Sequence, residues 1–598
     1  MLAGPGTGKT HTLAHRLLYL VRDIGLAPAR EILVLSFSRA AVAEIRARLE
    51  LLAGYGATDD IRFINVRTFD SFATRLLTAA GVGLELQGLG YDARIQRAIE
   101  SLSASDSEAN ELLADVRHLV VDEIQDLVTV RARLVMQLIQ SLPGGFTLLG
   151  DPAQAIYDFQ IKRPSDKPTS LEFLEWAKNP PGKPAPKLMT LETNRRTKTA
   201  AAGVADQVRP MALDSETPGL ELYASLRRLV SDLPEAGSVQ APNIDRLKPH
   251  QKRVAVLCRT NAQALFTASA LMRHGLACVV PPSVEDRGLP AWIARVFSTF
   301  KDTRISPEEF KSRWFGLVGP DQPPGPDAAW RMLSNLVGGD QSMLDLNILR
   351  ARLRDGADWT FDSEAFATTN SVLVTTIHQS KGREFDCVAI LQPQTRPANN
   401  QREQRAEARV LYVAATRARS EILQLENAGL PVLDTQPQRS HRSRQIGQDR
   451  AGKHYFQAGV PGDLDNLSWV ERELHPDLAQ VDKIQNLIWT KLTPGTRLQV
   501  AAKSIRGDVR LVLLRRTADQ RGYYALALFD QNCKIDLEDL LRRTSSNGTA
   551  GFLKIMEEVV VIERTTVILP PYLASIYEPY ATSGFCLGLT VSGVLQVD

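Results

Sequence analysis

The chain has 598 residues, of which 44% are hydrophobic and 23% charged, so it is an ordinary globular protein with about three or four domains. Its formal net charge of +3 neither indicates nor excludes nucleic acid as a partner. No apolar run approaches the roughly 20 residues that cross a bilayer, and residues 1–10 lack a secretory pattern, so we expect a soluble, cytoplasmic protein with no membrane partner.

Short apolar runs rich in β-branched residues alternate along the chain with segments of helical period. The helical segments are exemplified by residues 10–23 and 40–52. The apolar runs are residues 32–35, 119–121, 146–149, 254–257, 372–374 and 388–391. This alternation predicts an α/β fold with parallel sheets covered by helices on both faces.

Composition shifts divide the chain into predicted domains. The proline-rich stretch 179–186 separates a first core, 1–185, from a second, 186–427, with helical insertions at about 73–115 and 281–370. Residues 428–488 are predicted to be a polar and basic linker. Alternating apolar and polar residues at 498–512 and 522–528 predict a small β-rich C-terminal domain, 489–598, of unknown role.

A basic cluster lies within the predicted linker. We interpret it as a solvated, flexible segment, with phosphate binding as the alternative. Its members are Arg439, His441, Arg442, Arg444, Arg450 and Lys453.

A glycine-rich turn at the N-terminus is typical of a phosphate-binding loop, in which backbone N–H groups surround phosphate oxygens at a helix start. Lys9 would reach the β and γ phosphates and the Thr10 hydroxyl would help to hold Mg²⁺. Taken alone, such a turn can also be a surface loop. The predicted nucleotide-binding residues are Ala3, Gly4, Pro5, Gly6, Thr7, Gly8, Lys9 and Thr10, with Ala3 in place of the usual first glycine.

Two carboxylates follow the apolar run 119–121, at the carboxyl end of a predicted strand, where ligands of such sheets bind. Asp122 would hold Mg²⁺ through water, and Glu123 would orient and deprotonate the attacking water. A lone Asp-Glu pair is more often a helix cap. Combined with the glycine-rich turn it predicts nucleotide hydrolysis. The five scattered cysteines include no C-x-x-C pair, so they suggest neither zinc nor an iron-sulfur cluster.

From residue 3 to about residue 425 the sequence resembles the UvrD/Rep-like superfamily 1 helicases, whose signature segments occur in the family's order. Residues 122–126 (DEIQD) match the family's DExQD form, and 375–385 (TTIHQSKGREF) is the most distinctive match. The other matching segments are 36–41 with Glu44, 68–72, 150–159, 191–196 and 411–418.

The resemblance implies two RecA-like, parallel-sheet P-loop NTPase cores, with ATP and Mg²⁺ as cofactors. It implies γ-phosphate sensing by Gln154, arginine fingers at Arg196 and Arg417, and a ribose contact by Glu384. Single-stranded DNA and DNA junctions are the implied partners, with 3′ to 5′ translocation and a role such as DNA repair. The implied DNA-binding residues are Phe37, Thr68, Tyr157, Phe159 and His378.

Each residue also has an ordinary interpretation. The aromatic residues could be core side chains, His378 a surface histidine, and the two arginines surface charges. Tyr157 stays open between base stacking and support of the nucleotide. A helicase-like nucleic-acid or partner-binding module with lost or weakened motor activity is the alternative function, and an RNA-directed motor is a third.

The sequence departs from the family pattern at several positions. The strand that leads into the glycine-rich turn is reduced to Met1 and Leu2, and the family's adenine-contacting glutamine is absent, so we expect residues to be missing before Met1. Asp70 stands where histidine is frequent, Arg195 where tyrosine is usual, and Gln160 where arginine often follows the aromatic residue. These changes affect the expected DNA grip.

Overall fold

The structure is a computed structural model of the whole chain. It describes residues 1–54, 59–82, 90–104, 108–157, 161, 166–193, 200–214, 216–249, 252–281, 288–337, 342–354, 371–393, 400–428, 432–437, 443–448, 453–505, 507–544, 556–570 and 574–597. The chain divides into two compact units, and each consists of two stretches of sequence. Unit 1 comprises Met1–Glu235 and Ile377–Gln424, and unit 2 comprises Ala236–Thr376 and Leu425–Asp598. The predicted domain boundaries stay predictions.

The first stretch of unit 1 alternates strands and helices. Its strands are β1 (Leu2–Ala3), β2 (Ile32–Ser36), β3 (Asn65–Thr68), β4 (His118–Val121), β5 (Gly145–Leu148) and β6 (Thr190–Leu191). Its helices are α1 (Lys9–Arg22), α2 (Pro28–Glu31), α3 (Arg39–Gly54), α4 (Phe69–Ala79), α5 (Tyr91–Ser103), α6 (Glu108–Ala114), α7 (Thr129–Ser141), α8 (Ser170–Lys178), α9 (Ala200–Leu213) and α10 (Gly219–Ser231).

A parallel sheet in the order β3-β2-β4-β5 forms the centre of this stretch. Side chains alternate across β2: Leu33 and Leu35 pack into one hydrophobic cluster, and Ile32 and Val34 into another on the opposite face. Burial on both faces explains why β2 is continuously apolar. β1 pairs in parallel with β6, and Leu2 bridges Gly150 just beyond β5.

The following stretch belongs to unit 2 apart from the first residue of β7. Its strands are β7 (Glu235–Ser238), β8 (Val254–Cys258), β9 (Cys278–Val279), β10 (Leu289–Pro290), β11 (Arg304–Ile305), β12 (Leu344–Asp345) and β13 (Val372–Thr376). Its helices are α11 (Ile244–Leu247), α12 (Asn261–Arg273), α13 (Ala291–Phe297), α14 (Pro307–Arg313), α15 (Pro326–Val337) and α16 (Leu346–Arg354). β13 pairs in parallel with both β8 and β9.

The remaining elements complete both units. Unit 1 gains β14 (Phe385–Leu391), α17 (Gln401–Ala415) and β15 (Ala418–Glu426), of which the last two residues fall in unit 2. Unit 2 continues with β16 (Val432–Pro437), β17 (Ser443–Gln448), β18 (His454–Ala458), α18 (Leu478–Lys491), β19 (Arg497–Ile505), β20 (Asp508–Arg516), β21 (Tyr523–Leu528), α19 (Gln531–Thr544), β22 (Met556–Ile568), α20 (Tyr580–Ser583) and β23 (Phe585–Val597).

Within unit 2 the helical insertion packs against the C-terminal strands. β10 pairs antiparallel with β22, and the Thr566 hydroxyl donates to the Pro290 carbonyl at 2.6 Å. Phe585 of β23 shares a core with Trp292 and Phe297 of α13. The insertion and the C-terminal strands therefore share one hydrophobic core.

The structure confirms the mixed α/β class with parallel sheets. Five of the six predicted apolar runs lie wholly in strands (β2, β4, β8, β13 and β14), and the run 146–149 extends one residue beyond β5. The two predicted helices correspond to α1 and α3. The C-terminal run 498–512 is two strands, because β19 and β20 form an antiparallel pair within it. Among the described residues, no helix is both long and apolar enough to cross a bilayer.

One sequence interpretation needs correction. Part of the basic stretch that we expected to be a solvated linker forms β17 and β18. Arg444 of β17 is fully buried and donates to Asp463 at 2.6 Å and to Asp536 at 2.9 Å. A solvated linker is therefore the wrong interpretation at this arginine, because two buried carboxylates hold it inside unit 2.

Candidate active site

The glycine-rich turn joins β1 to α1. Gly6 and Gly8 have φ values of 74° and 90°, which L side chains adopt only with strain, and Gly8 immediately precedes α1. The Thr7 hydroxyl donates to the Gly4 carbonyl at 2.8 Å and holds the turn closed. The backbone thus presents the start of a 14-residue helix as a site for an anion.

Lys9 lies at the start of α1, facing the two carboxylates that follow β4. Its Nζ is 2.5 Å from Glu123 Oε1 and 3.5 Å from Asp122 Oδ1. Burial lowers the pKa of Lys9, but the charges of Asp122 and Glu123 outweigh burial, so the pKa lies above its usual value. For Glu123, burial raises the pKa, but Lys9 outweighs it and the pKa falls below its usual value. Both side chains are therefore charged at neutral pH.

Asp122 has the character of a metal ligand. Its Oδ1 is buried and lies 3.5 Å from Lys9 Nζ, but it has no hydrogen bond among the described residues. Burial raises the pKa of the carboxyl against the charge of Lys9. A buried carboxylate oxygen without a hydrogen bond is costly, and a second cation would stabilise it. Mg²⁺ commonly takes one or two protein oxygens and completes its shell with water and phosphate, so Asp122 and Thr10 fit it. Across the described ranges, no group of three or more His, Cys, Asp or Glu side chains suggests an all-protein metal cage.

Hydrogen bonds of the Gln125 side chain fix the segment that follows Glu123. Glu123 itself has φ 55°, a strained value for a side chain of this kind. The Gln125 amide donates to Glu123 Oε2, and its oxygen accepts from the Asp151 N–H at 3.0 Å. A Cβ on Gly150 would lie 2.5 Å from Gln125 Oε1, so any side chain there would have to displace the Gln125 amide. Glu123 is thus held by Lys9 on one oxygen and by Gln125 on the other.

Gln154 joins two of the predicted site segments inside unit 1. Its amide nitrogen donates to Asp151 Oδ2 at 3.0 Å, and its amide oxygen accepts from Arg417 Nη2 at 2.9 Å. Arg417 is buried, and its Nε donates to the Val413 carbonyl of α17 at 3.1 Å. Gln154 and Arg417, predicted as the phosphate sensor and a finger, are therefore in direct contact.

Lys381 is a buried residue to which the sequence analysis gave no role. Its Nζ donates to Asp126 Oδ1 and, at 2.5 Å, to the Gln154 carbonyl oxygen. It also lies 5.3 Å from the centroid of the Tyr157 ring. The lysine within the segment 375–385 was visible in the sequence, but its carboxylate partner was not.

The predicted DNA-binding aromatic residues cluster in unit 1. The Phe37 and Tyr157 ring centroids are 4.6 Å apart, and those of Tyr157 and His378 are 6.2 Å apart. Arg131, paired with Asp70 at 3.1 Å, lies 5.7 Å from the Phe37 centroid. The structure thus brings three of the predicted residues together and places the Arg131 guanidinium beside the Phe37 ring.

Two parts of the sequence match family models. Residues 1–88 and 84–166 match the UvrD/REP helicase N-terminal domain, and residues 371–423 match the UvrD-like helicase C-terminal domain. These parts of the chain are similar to the UvrD-like superfamily 1 helicases. They contain every buried contact described above for Lys9, Glu123, Gln154, Lys381 and Arg417.

Individual UvrD-like relatives match over short lengths. The ATP-dependent DNA helicase PcrA of Leuconostoc citreum is 37% identical over 101 residues, which are 17% of this chain and 13% of that protein. The ATP-dependent DNA helicase SRS2 of Saccharomyces cerevisiae is 32% identical over 145 residues, 24% of this chain and 11% of that protein. The chain therefore spans only a small part of these relatives.

A solved structure, the Pif1 helicase from Candida albicans, is 14% identical to this chain. The structural alignment covers 71% of this chain and 90% of the Pif1 chain, with a TM-score of 0.33.

Of four residues implied by the UvrD-like resemblance, two have other contacts and two lie outside the described residues. Glu384, the predicted ribose contact, pairs with Arg419 at 3.0 Å. The Thr68 hydroxyl accepts from the Ser71 N–H at 3.2 Å and caps α4. Arg196 and Phe159 lie outside the described residues.

Proposed function

We propose that the chain is an ATP-dependent motor that moves along single-stranded DNA with 3′ to 5′ polarity. The observation that carries the proposal is a chain of partly and fully buried contacts from Lys9 through Glu123 and Gln125 to Asp151, and from Asp151 through Gln154 to Arg417. These contacts connect the glycine-rich turn to Arg417, which lies near the end of the segment that matches the UvrD-like C-terminal domain.

Each residue has a defined task in this proposal. Lys9 and the backbone of the turn bind phosphate oxygens, and Thr10 and Asp122 hold Mg²⁺, which would stabilise the developing negative charge. Gln154 and Arg417 orient and stabilise the γ-phosphoryl group. Arg196 would act as the other arginine finger, and Glu384 would contact the ribose.

Glu123 must accept a proton from the attacking water. While Lys9 pairs with it, its pKa is held low and it is a poor base. A Lys9 side chain that binds phosphate would leave Glu123, and the carboxylate would then become a stronger base. Phosphate binding and activation of the base are linked in this way.

Single-stranded DNA would contact the aromatic cluster of Phe37, Tyr157 and His378. Phe159 and Thr68 would be further DNA contacts. Stacking on aromatic rings is worth about 1 to 3 kcal/mol per base and does not depend on sequence. This suits an enzyme that tracks along any strand. The UvrD-like relatives are named as DNA helicases, which supports DNA over RNA.

The decisive experiment measures ATP hydrolysis by the whole chain at low salt, with and without an oligo-dT strand. Wild type should be stimulated by DNA, and Lys9→Ala and Glu123→Gln should each lose about 10²-fold or more in rate. Lys178→Ala, at a side chain that is 67% exposed, is the matched control and should not change the rate.

Two further arms separate the alternatives. Displacement of streptavidin from the 5′ but not the 3′ end of a biotinylated strand would establish 3′ to 5′ movement. Single-strand binding that survives Lys9→Ala, with no hydrolysis in wild type, would instead support a binding module without a motor. Stronger stimulation by RNA than by DNA would overturn the choice of DNA.

A further inference from the structure

Arg209 of α9 lies beside the glycine-rich turn, outside every predicted site segment. Its guanidinium rests directly on Gly4: a Cβ there would lie 2.7 Å from Arg209 Nε and 3.2 Å from Cζ. The absence of a side chain at Gly4 therefore lets a cation reach the backbone that is expected to surround phosphate.

One edge of this guanidinium is already bonded. Arg209 Nη2 is 3.4 Å from Asp151 Oδ1, while the other oxygen of Asp151 accepts from Gln154. The side chain of Asp151 is 1% exposed and that of Arg209 is 19% exposed. Arg209 is thus anchored on the carboxylate that orients the predicted phosphate sensor.

The other edge lacks an acceptor. Arg209 Nε is buried, and no described residue accepts a hydrogen bond from it. The Tyr412 hydroxyl, on a fully buried residue of α17, likewise has no hydrogen-bond partner among the described residues. Leaving a charged donor unsatisfied costs more than leaving a neutral one, so an acceptor is expected to arrive with a ligand.

We propose that Arg209 is a further phosphate-binding residue, whose Nε–H binds an oxygen of the nucleotide phosphates beside Gly4 while its Nη2 stays on Asp151. This inference rests on the proposed function, because it assumes that the turn binds a nucleotide. It adds an arginine from α9 to the cations that hold the phosphates and links phosphate occupancy to the orientation of Gln154.

The inference predicts a specific loss of phosphate affinity. A hydrogen bond from a charged donor to phosphate corresponds to about a tenfold or greater change in the dissociation constant. Arg209→Ala should therefore bind fluorescent ATP and ADP about tenfold more weakly than wild type. Arg209→Lys keeps the positive charge near Asp151 but has no Nε–H beside Gly4, so it should recover only part of the affinity.

The test titrates the whole protein with fluorescent ATP and ADP, using Arg228→Ala on the exposed face of α10 as the matched control. Adding millimolar guanidinium to Arg209→Ala should restore ATP binding, which a purely structural loss would not show. Thermal unfolding of each variant identifies misfolded protein, and Arg209→Gln then replaces alanine as the milder change.

The outcomes distinguish the two proposals. If wild type binds neither nucleotide, the proposed function fails, and this inference fails with it. If wild type binds and hydrolyses ATP while Arg209→Ala keeps wild-type affinity, only the role of Arg209 is overturned. Full recovery of affinity by lysine would also overturn the Nε assignment, because a charge alone would then suffice.

Discussion

The buried pair of Lys381 and Asp126 offers a direct test of how the site is held together. The two side chains are 6% and 1% exposed. Lys381→Met keeps the length of the side chain but leaves the Asp126 carboxylate buried without its cation. Breaking a buried pair in this way costs about 3 to 5 kcal/mol of unfolding free energy. Above the raised pKa of Asp126, which is about 7, Asp126→Asn leaves a buried ammonium without its carboxylate and should cost a similar amount.

A double-mutant cycle isolates the pair from other contacts. Lys381→Met combined with Asp126→Asn should be less destabilised than the sum of the single variants, by on the order of 2 kcal/mol. The exposed substitution Arg228→Met should stay within about 0.5 kcal/mol of wild type. Additive effects, or single variants that cost less than about 1 kcal/mol, would refute the buried ion pair.

The assay must report on unit 1 alone, because a chain of several units does not unfold in one step. Trp176 is the one tryptophan of the seven that falls in unit 1. Urea titration of 5-fluorotryptophan-labelled protein, followed by fluorine NMR, therefore resolves the unfolding of unit 1 through a single signal.

The same pair predicts a pH dependence. Burial raises the pKa of Asp126 from its usual 3.8 to about 7, against the opposing charge of Lys381. Since the folded pKa is the higher one, the contribution of this group is complete below pH 3.8 and is lost as the pH rises through about 7. Asp126→Asn should remove this dependence of the unfolding free energy on pH in the urea titrations of unit 1. An unchanged pH dependence would show that another group causes it.

Three further predictions concern other parts of the chain. Arg444→Met leaves two buried carboxylates without a cation and should destabilise unit 2 by about 3 to 5 kcal/mol in urea unfolding followed by the unit 2 tryptophans; a loss under about 1 kcal/mol would contradict this. Gly150→Ala should displace Gln125 and lower the ATPase rate by about a hundredfold, as measured by phosphate release; an unchanged rate would argue against this contact. Phe37→Ala and Tyr157→Ala should each weaken binding of an oligo-dT strand by about 1 to 3 kcal/mol in fluorescence anisotropy. Because these two rings touch, their effects should not be additive.

Much of the fold could be predicted from local patterns. The strand β2 is apolar at every position up to Leu35 because helices cover both of its faces, and that pattern needs no long-range information. The positions of Lys9, Asp122 and Glu123 follow similarly, since a turn before a helix and an acid after a strand meet at the same edge of a parallel sheet. The structure brings these three side chains together.

Long-range pairing of charges could not be predicted in the same way. Lys381 and Asp126 are 255 residues apart, and Arg444 and Asp536 are 92 apart. A charged residue in a sequence is by default a surface residue, because burial without a partner is costly. Only the folded chain shows that a partner is present, which is why Arg444 was misread as part of a solvated segment.

Most of the charged side chains around the glycine-rich turn are already paired, and this bears on the order of events in the proposed motor. Lys9 is held by carboxylates, and Arg209 is held by Asp151. A Lys9 that turns to a phosphate must leave Glu123, whose pKa is lowered mainly by that cation, with smaller contributions from Lys381 and Gln125. Glu123 therefore becomes a stronger base only after phosphate is bound. In the empty site Lys9 keeps the carboxylate weakly basic, and in the filled site the carboxylate can accept a proton from water. Hydrolysis in this arrangement depends on occupancy of the turn, because the cation that binds the substrate is the cation that otherwise suppresses the base.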